Sequence, residues 1–330
     1  MQFRILGPVE IQDERTGLRI LPTGTKQRAL LGALVAKAGR EVSVQRLIDE
    51  LWGAHPPAGA ANALQAHVAR LRRRLPRPGG PAGRPQEWIV TRSLGYVLHP
   101  GPGGTDAEHF QRLALEGRQA SRQDPARAAE LLRQALSLWR GPALEGSTQG
   151  DICAAEAAQL EEHRVSALEV MHEASLRAGR HGEVTGELEE LTCDHPLREG
   201  FYDLLMVALY RCGRQAEALG VYDRARKRLV HDLGVEPGPA LRGRMEAILR
   251  QDPVLALPEP PPVLRPAPQL GGEIERLNHR IEALRLQQEQ LLRRFEQLTT
   301  ADGSRTGRPA CLAGCAAPGH RAAPQPAAHA

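Results

Sequence analysis

One stretch, residues 60–75 (AANALQAHVARLRRRL), constrains the fold of this chain more than any other. Leu64, Val68, Leu71 and Leu75 recur at i, i+4, i+7 and i+11, the spacing of a single stripe on an α-helix. A helix with such a stripe must bury it. At about 100° per residue, Asn62, Ala66, Ala69 and Arg73 fall on the opposite side, flanked by Gln65, Arg70 and Arg72. Asn, Gln and Arg are the side chains that read base edges in a major groove, and small Ala residues let a helix backbone come close to them. Two readings fit this face taken alone: a base-reading surface, and a solvated basic one.

The following residues favour the first. After the Pro/Gly connection PRPGGPAGRPQ, the segment EWIVTRSLGYVLHP reads as two short strands turning at Ser93, Leu94 and Gly95. A helix followed by a hairpin is a winged-helix layout. Residues 61–100 carry seven arginines against one acid, Glu87, a local net charge of +6 that suits a phosphate backbone. Residues 151–200 carry twelve acids against four arginines, so the basic and acidic halves do different work.

A length of 330 residues predicts about two domains at roughly 150 residues each. No run approaches the ~20 apolar residues of a membrane span, and Met1 leads into strand-like FRILGPVEI, so a cytoplasmic location without membrane contact is expected. The five cysteines form no dense framework and are expected to be reduced thiols. Cys311, Cys315 and His320 lie in an Ala/Gly/Pro-rich tail, and no metal or cofactor is predicted.

In the first hundred residues, Phe3, Ile5, Val9 and Ile11 alternate as one strand, with Gly7-Pro8 as a bulge or edge feature, and residues 18–21 form a second. Thr25 is expected to cap a helix over 26–38 stopped by Gly39, and Ser43 to cap one over 44–52. The stretches KQRALLGALVAKAGREVSVQRLIDELWG, ALQAHVARLRRRL and WIVTRSLGYVL resemble the winged-helix effector domain of OmpR-type response regulators. The resemblance implies that the third helix enters the major groove. Asn62, Gln65, Ala66 and Arg70 would then face bases, Arg72 and Arg73 phosphates, and Arg92 in the hairpin the minor groove. Arg92 has a plainer alternative as a phosphate contact or solvated turn. His67 and Arg74 sit on the helix flank, as packing or solvated residues. No receiver-like segment precedes the strands, so activation by phosphorelay is not implied.

Residues 105–250 read as helix after helix with short turns. LRAGRHGEVTG (176–186) and YRCGRQAEALG (210–220) align at a 34-residue offset, the tetratricopeptide period, with Gly179 and Gly213 at the turns. The motifs ALSLWRGPALEG and DHPLREGFYDLLMVALYRCGRQAEALGVYDRARKRLVHDLGVEPGPALR resemble the bacterial transcriptional activation domain. Behind an OmpR-type winged helix, that domain marks the Streptomyces antibiotic regulatory protein family, and the likeness runs from Phe3 to about Asp252. It implies a pathway-specific activator of secondary-metabolite genes that binds direct repeats in double-stranded DNA as a homo-oligomer and recruits RNA polymerase holoenzyme.

Residues 253–272 read as a Pro-rich linker. Over 273–299, Ile274, Leu277, Ile281, Leu284, Gln288, Leu291, Phe295 and Leu298 hold a/d spacing for a coiled coil, and 300–330 reads as a disordered tail. No GxxxxGK, HExxH, GxSxG or GxGxxG is present, so no enzyme is expected. The expected fold is mainly α: a winged helix-turn-helix over 1–100, a TPR-like all-α domain over 105–252, then the coiled coil. The rival function is a TPR-type adaptor with a vestigial winged helix.

Overall fold

The computed structural model describes residues 1–13, 16–75, 87–101 and 103–256. They belong to one compact unit, Met1–Glu259; the second, Pro260–Ala330, lies outside the described residues, as do the expected coiled coil and tail.

The chain opens with a three-stranded antiparallel sheet of β1 (Gln2–Arg4), β2 (Glu10–Gln12) and β3 (Arg19–Ile20), in the order β1-β2-β3. Phe3 pairs with Ile11 and Arg4 with Glu10, so the expected single strand is two strands, and Gly7-Pro8 belongs to the turn between them. Alternation alone cannot tell these cases apart, because a tight reversal preserves which residues face inward. Gly7 has φ +138°, and a Cβ there would sit 3.0 Å from the Cβ of Arg140. Only glycine meets both demands.

Three helices follow: α1 (Thr25–Ala36), α2 (Val44–Trp52) and α3 (Ala60–Arg74). Ser43 caps α2 as expected, its hydroxyl accepting from Arg46 N at 3.3 Å. Thr25 does not cap α1. It is the first helical residue, Gly24 holds the N-cap position at φ +85°, and no side chain closes that end. A second sheet of β4 (Val42–Ser43), β5 (Ile89–Thr91) and β6 (Gly95–Leu98), ordered β4-β6-β5, forms the hairpin predicted at 87–100 and ties it to the entrance of α2.

The helical half comprises α4 (Asp106–Ala120), α5 (Pro125–Leu136), α6 (Asp151–Arg177), α7 (His181–Asp194), α8 (Glu199–Arg211), α9 (Gln215–Leu233) and α10 (Pro239–Leu249). Helices α7 and α9 start 34 residues apart, and the preceding Gly179 and Gly213 have φ +81° and +77°, the left-handed conformation that favours glycine after a helix. Pro253–Leu255, read as the start of an extended spacer, is instead a 3-10 turn that buries Leu255 against the core of α8 and α10.

Not all connections are short. Between α5 and α6 the chain runs irregularly along the first sheet: Leu6 O accepts from Arg140 N, Ile5 O from Leu144 N and Gly7 O from Glu145 N. This segment joins the two halves. One hydrophobic core holds Phe3, Leu30, Leu34 and Leu64 together with Phe110, Leu144 and Leu160, and a second gathers α7 to α10. The core therefore divides within α6 and not near residue 100.

Polar groups secure the same junction. Asp106, 1% exposed, accepts from Ile5 N at 2.8 Å and Leu6 N at 3.1 Å, and pairs with Arg140 at 3.2 Å. Burial raises its carboxyl above the usual range, against the pull of those hydrogen bonds. Arg140 also reaches Glu10 at 3.1 Å, and Glu10 reaches Arg4 at 3.0 Å, so the buried charges compensate one another. On the other side, Lys37, at the C-cap of α1, pairs with Glu156 of α6 at 3.1 Å.

Candidate nucleic-acid interface

Helix α3 is built as its sequence pattern requires. Leu64, Val68 and Leu71 are 1% exposed and Leu75 7%, all within the first core. Burying four such side chains stabilises the domain by several kcal/mol, at ~1.5–3 kcal/mol each. Asn62, Gln65, Ala66, Ala69, Arg70 and Arg73 face outward as one surface. Arg70 and Arg73 have no hydrogen-bond or ion-pair partner among the described residues.

Arg72 behaves differently from its expected role. Its Nε donates to Ile89 O at 3.0 Å, its Nη2 donates to Thr91 Oγ1 at 2.8 Å, and Glu87 lies 3.8 Å away. The guanidinium is thus turned onto β5 and is not free for a phosphate; it straps the hairpin to α3. The periodicity of α3 puts Arg72 at the edge of the exposed face, but only the position of β5 decides which way that edge points.

Arg92 is exposed at the hairpin turn, which its N–H closes on Gly95 O at 2.9 Å. Leu94 beside it is 70% exposed, and its N–H donates to Glu41 Oε1 at 2.8 Å. A Cβ on Gly95 would run into the Val42 carbonyl, so glycine is required where β6 crosses β4. The turn that presents Arg92 is therefore anchored from both sides.

His67 and Arg74 pack on the flanks of α3. The His67 ring lies 6.2 Å from that of Trp52, and burial, then Arg70 and Lys26, lowers its pKa. Arg74 donates to Leu21 O at 3.2 Å. Lys26 stands over the Trp52 ring at 5.8 Å and donates to Leu51 O. Sequence reasoning did not single out Gln27; the helix start at Thr25, whose free N–H groups can hold a phosphate, was legible, with capping as its plainer role.

Among the described residues no group of three or more His, Cys, Asp or Glu is arranged to hold a metal ion, and no helix is long and apolar enough to cross a membrane.

A winged helix with an outward Asn/Gln/Arg face, joined through a common core to a helical array, defines a transcriptional regulator of the winged-helix class. The family profile described as the C-terminal domain of transcriptional regulatory proteins matches residues 19–98, and that of the bacterial transcriptional activator domain matches residues 105–249. The transcriptional regulator RedD of Streptomyces coelicolor is 45% identical over 260 residues, covering 78% of this chain and 73% of RedD. The regulatory protein DnrI of Streptomyces peucetius is 40% identical over 256 residues, 77% of this chain and 93% of DnrI. A structure of Mycobacterium tuberculosis EmbR in complex with a low-affinity phosphopeptide superposes with a TM-score of 0.70 at 35% identity, covering 76% of this chain and 65% of EmbR. The chain belongs to the Streptomyces antibiotic regulatory protein family of transcriptional activators, a family of regulators and not of enzymes.

Proposed function

We propose that this protein activates a secondary-metabolite gene cluster from the cytoplasm, by binding direct repeats in double-stranded DNA near a promoter as a homo-oligomer and recruiting RNA polymerase holoenzyme through its helical half. The observation that carries this reading is the outward face of α3, where unpaired Arg70 shares one surface with Asn62, Gln65 and Ala66. In the major groove these four residues read base edges, Arg73 holds a phosphate, and Arg92 enters the adjacent minor groove. Arg72 takes a positioning role, holding the hairpin that carries Arg92. The joined core supports the second half of the proposal, since a helical half packed on the winged helix is held in one orientation when DNA is bound. The test is selection of bound sequences from a random duplex library by the full-length protein, then transcription in vitro from a promoter carrying the winner. Recovery of a spaced direct repeat and a rise in transcript are expected. Binding that shows no enrichment and fades with salt would leave electrostatic attraction alone and favour an adaptor role.

A further inference from the structure

Beside α3 lies an open cleft of about 870 Å³, lined on one side by Thr23, Gly24, Thr25, Lys26 and Gln27 and on the other by His67, Arg70, Arg73 and Arg74. Among the described residues no acidic side chain lines it. One wall is the uncapped N-terminus of the twelve-residue α1, where the amides of Thr25, Lys26 and Gln27 have no acceptor. Such an end carries roughly half a positive charge and offers donors to an anion. The other wall carries the unpaired Arg70 and Arg73.

A second observation is independent of the helix end. Gln27 is 4% exposed, yet its side-chain oxygen has no hydrogen-bond partner. A buried amide without a partner is costly. The amide nitrogen has no acceptor among the described residues either, so a side chain that lines the cleft has a donor to spare. Lys26 and Arg74 are held aside by carbonyls of Leu51 and Leu21 and add charge to the cleft without filling it.

We propose that this cleft is a phosphate seat, and that its occupant is a DNA backbone phosphate at the flank of α3. The inference rests on the DNA-binding reading and deepens it. The amides of α1 and Gln27 belong to the body of the domain, so a phosphate seated there fixes how far α3 slides along the groove. Arg70, on the rim, joins the seat to the base-reading face. Phosphate contacts of this kind set register and carry no sequence information of their own.

The test uses the full-length chain and the duplex it selects, with single phosphates replaced in turn by neutral methylphosphonates. At one position per bound copy, the replacement should weaken the native protein about tenfold and weaken Arg73→Gln or Gln27→Leu less than twofold, because the variant has already lost that contact. Arg73→Gln is a surface change and keeps the test open should Gln27→Leu unfold the domain. If no duplex is enriched, the DNA-binding reading fails by itself. Titration with inorganic phosphate then follows the amide resonances of Thr25, Lys26 and Gln27, and saturable shifts would assign the seat to a free phosphate. Equal losses in native and variant proteins at every backbone position, with no shifts under inorganic phosphate, would overturn the proposal.

Discussion

Glu50, near the end of α2, caps a helix that begins a hundred residues later: its carboxylate accepts from Ile152 N at 2.7 Å and from Cys153 N at 3.1 Å. Glu50 is 4% exposed, and its charge meets the positive end of the 27-residue α6. The helix that leads into α3 is thereby joined to the longest helix of the activator half.

Glu50→Ala should destabilise the folded chain by about 2–4 kcal/mol, since it opens a cavity and leaves two buried amides without an acceptor. Glu50→Gln, which keeps one oxygen, should lose less. A Cβ on Gly150 would overlap the Glu50 carboxylate, so Gly150→Ala should reproduce much of the Glu50→Ala loss. Urea denaturation of the three variants checks the order.

Gly32 lies in the middle of α1, where glycine costs ~1 kcal/mol relative to alanine. Space explains it: a Cβ there would sit 3.0 Å from Leu144 Cδ2 and 3.2 Å from Cys153 Sγ. Gly32→Ala should therefore destabilise by roughly 1–3 kcal/mol in spite of the better helix former. Adding Cys153→Ala should recover part of that loss. Simple addition of the two single effects in thermal unfolding would count against the close approach.

Three arginines of the interface should separate by experiment. Arg70→Ala should cost ~1–3 kcal/mol on the selected duplex and far less on random DNA. Arg73→Ala should weaken both alike and lower the salt slope by about one. Arg72→Ala should leave α3 intact but raise amide hydrogen exchange across β5 and β6, which Arg72 holds. Unchanged exchange in the hairpin would remove its strapping role.

His172 on α6 is 1% exposed, and neither ring nitrogen has a hydrogen-bond partner. Burial, reinforced by Arg133, lowers its pKa to about 4. Between the ordinary value near 6.5 and that lower value, the unfolded chain takes up a proton that the folded chain refuses. The contribution of neutral His172 is thus full above about pH 6.5 and is lost as pH falls toward 4. His172→Leu should flatten the stability profile in that window, as read by denaturation at stepped pH.

Several elements were legible in the sequence because their causes are local. The buried stripe of α3 follows from residue spacing, the Ser43 cap from a hydroxyl three residues before an orphan amide, and the turns at Gly179 and Gly213 from a backbone conformation that favours glycine. The outward set of Asn62, Gln65, Ala66 and Arg70 follows from the same periodicity.

Other features depend on partners far along the chain, and pattern does not reach them. Gly7-Pro8 is a turn because Arg140 and Glu145 close over it, and Arg72 points inward because β5 lies beside it. Thr25 is uncapped where a threonine before a helical run suggests a cap. The sequence by itself determined which segments are helices, which face each one buries and that α3 presents Asn, Gln and Arg outward, since these depend on periods of a few residues. Only the tertiary structure decided that the winged helix shares its core with the first helices of the second half, that Glu50 closes α6 and that Gln27 sits beside unpaired arginines. Those contacts span tens to more than a hundred residues, and the folded packing alone brings them together.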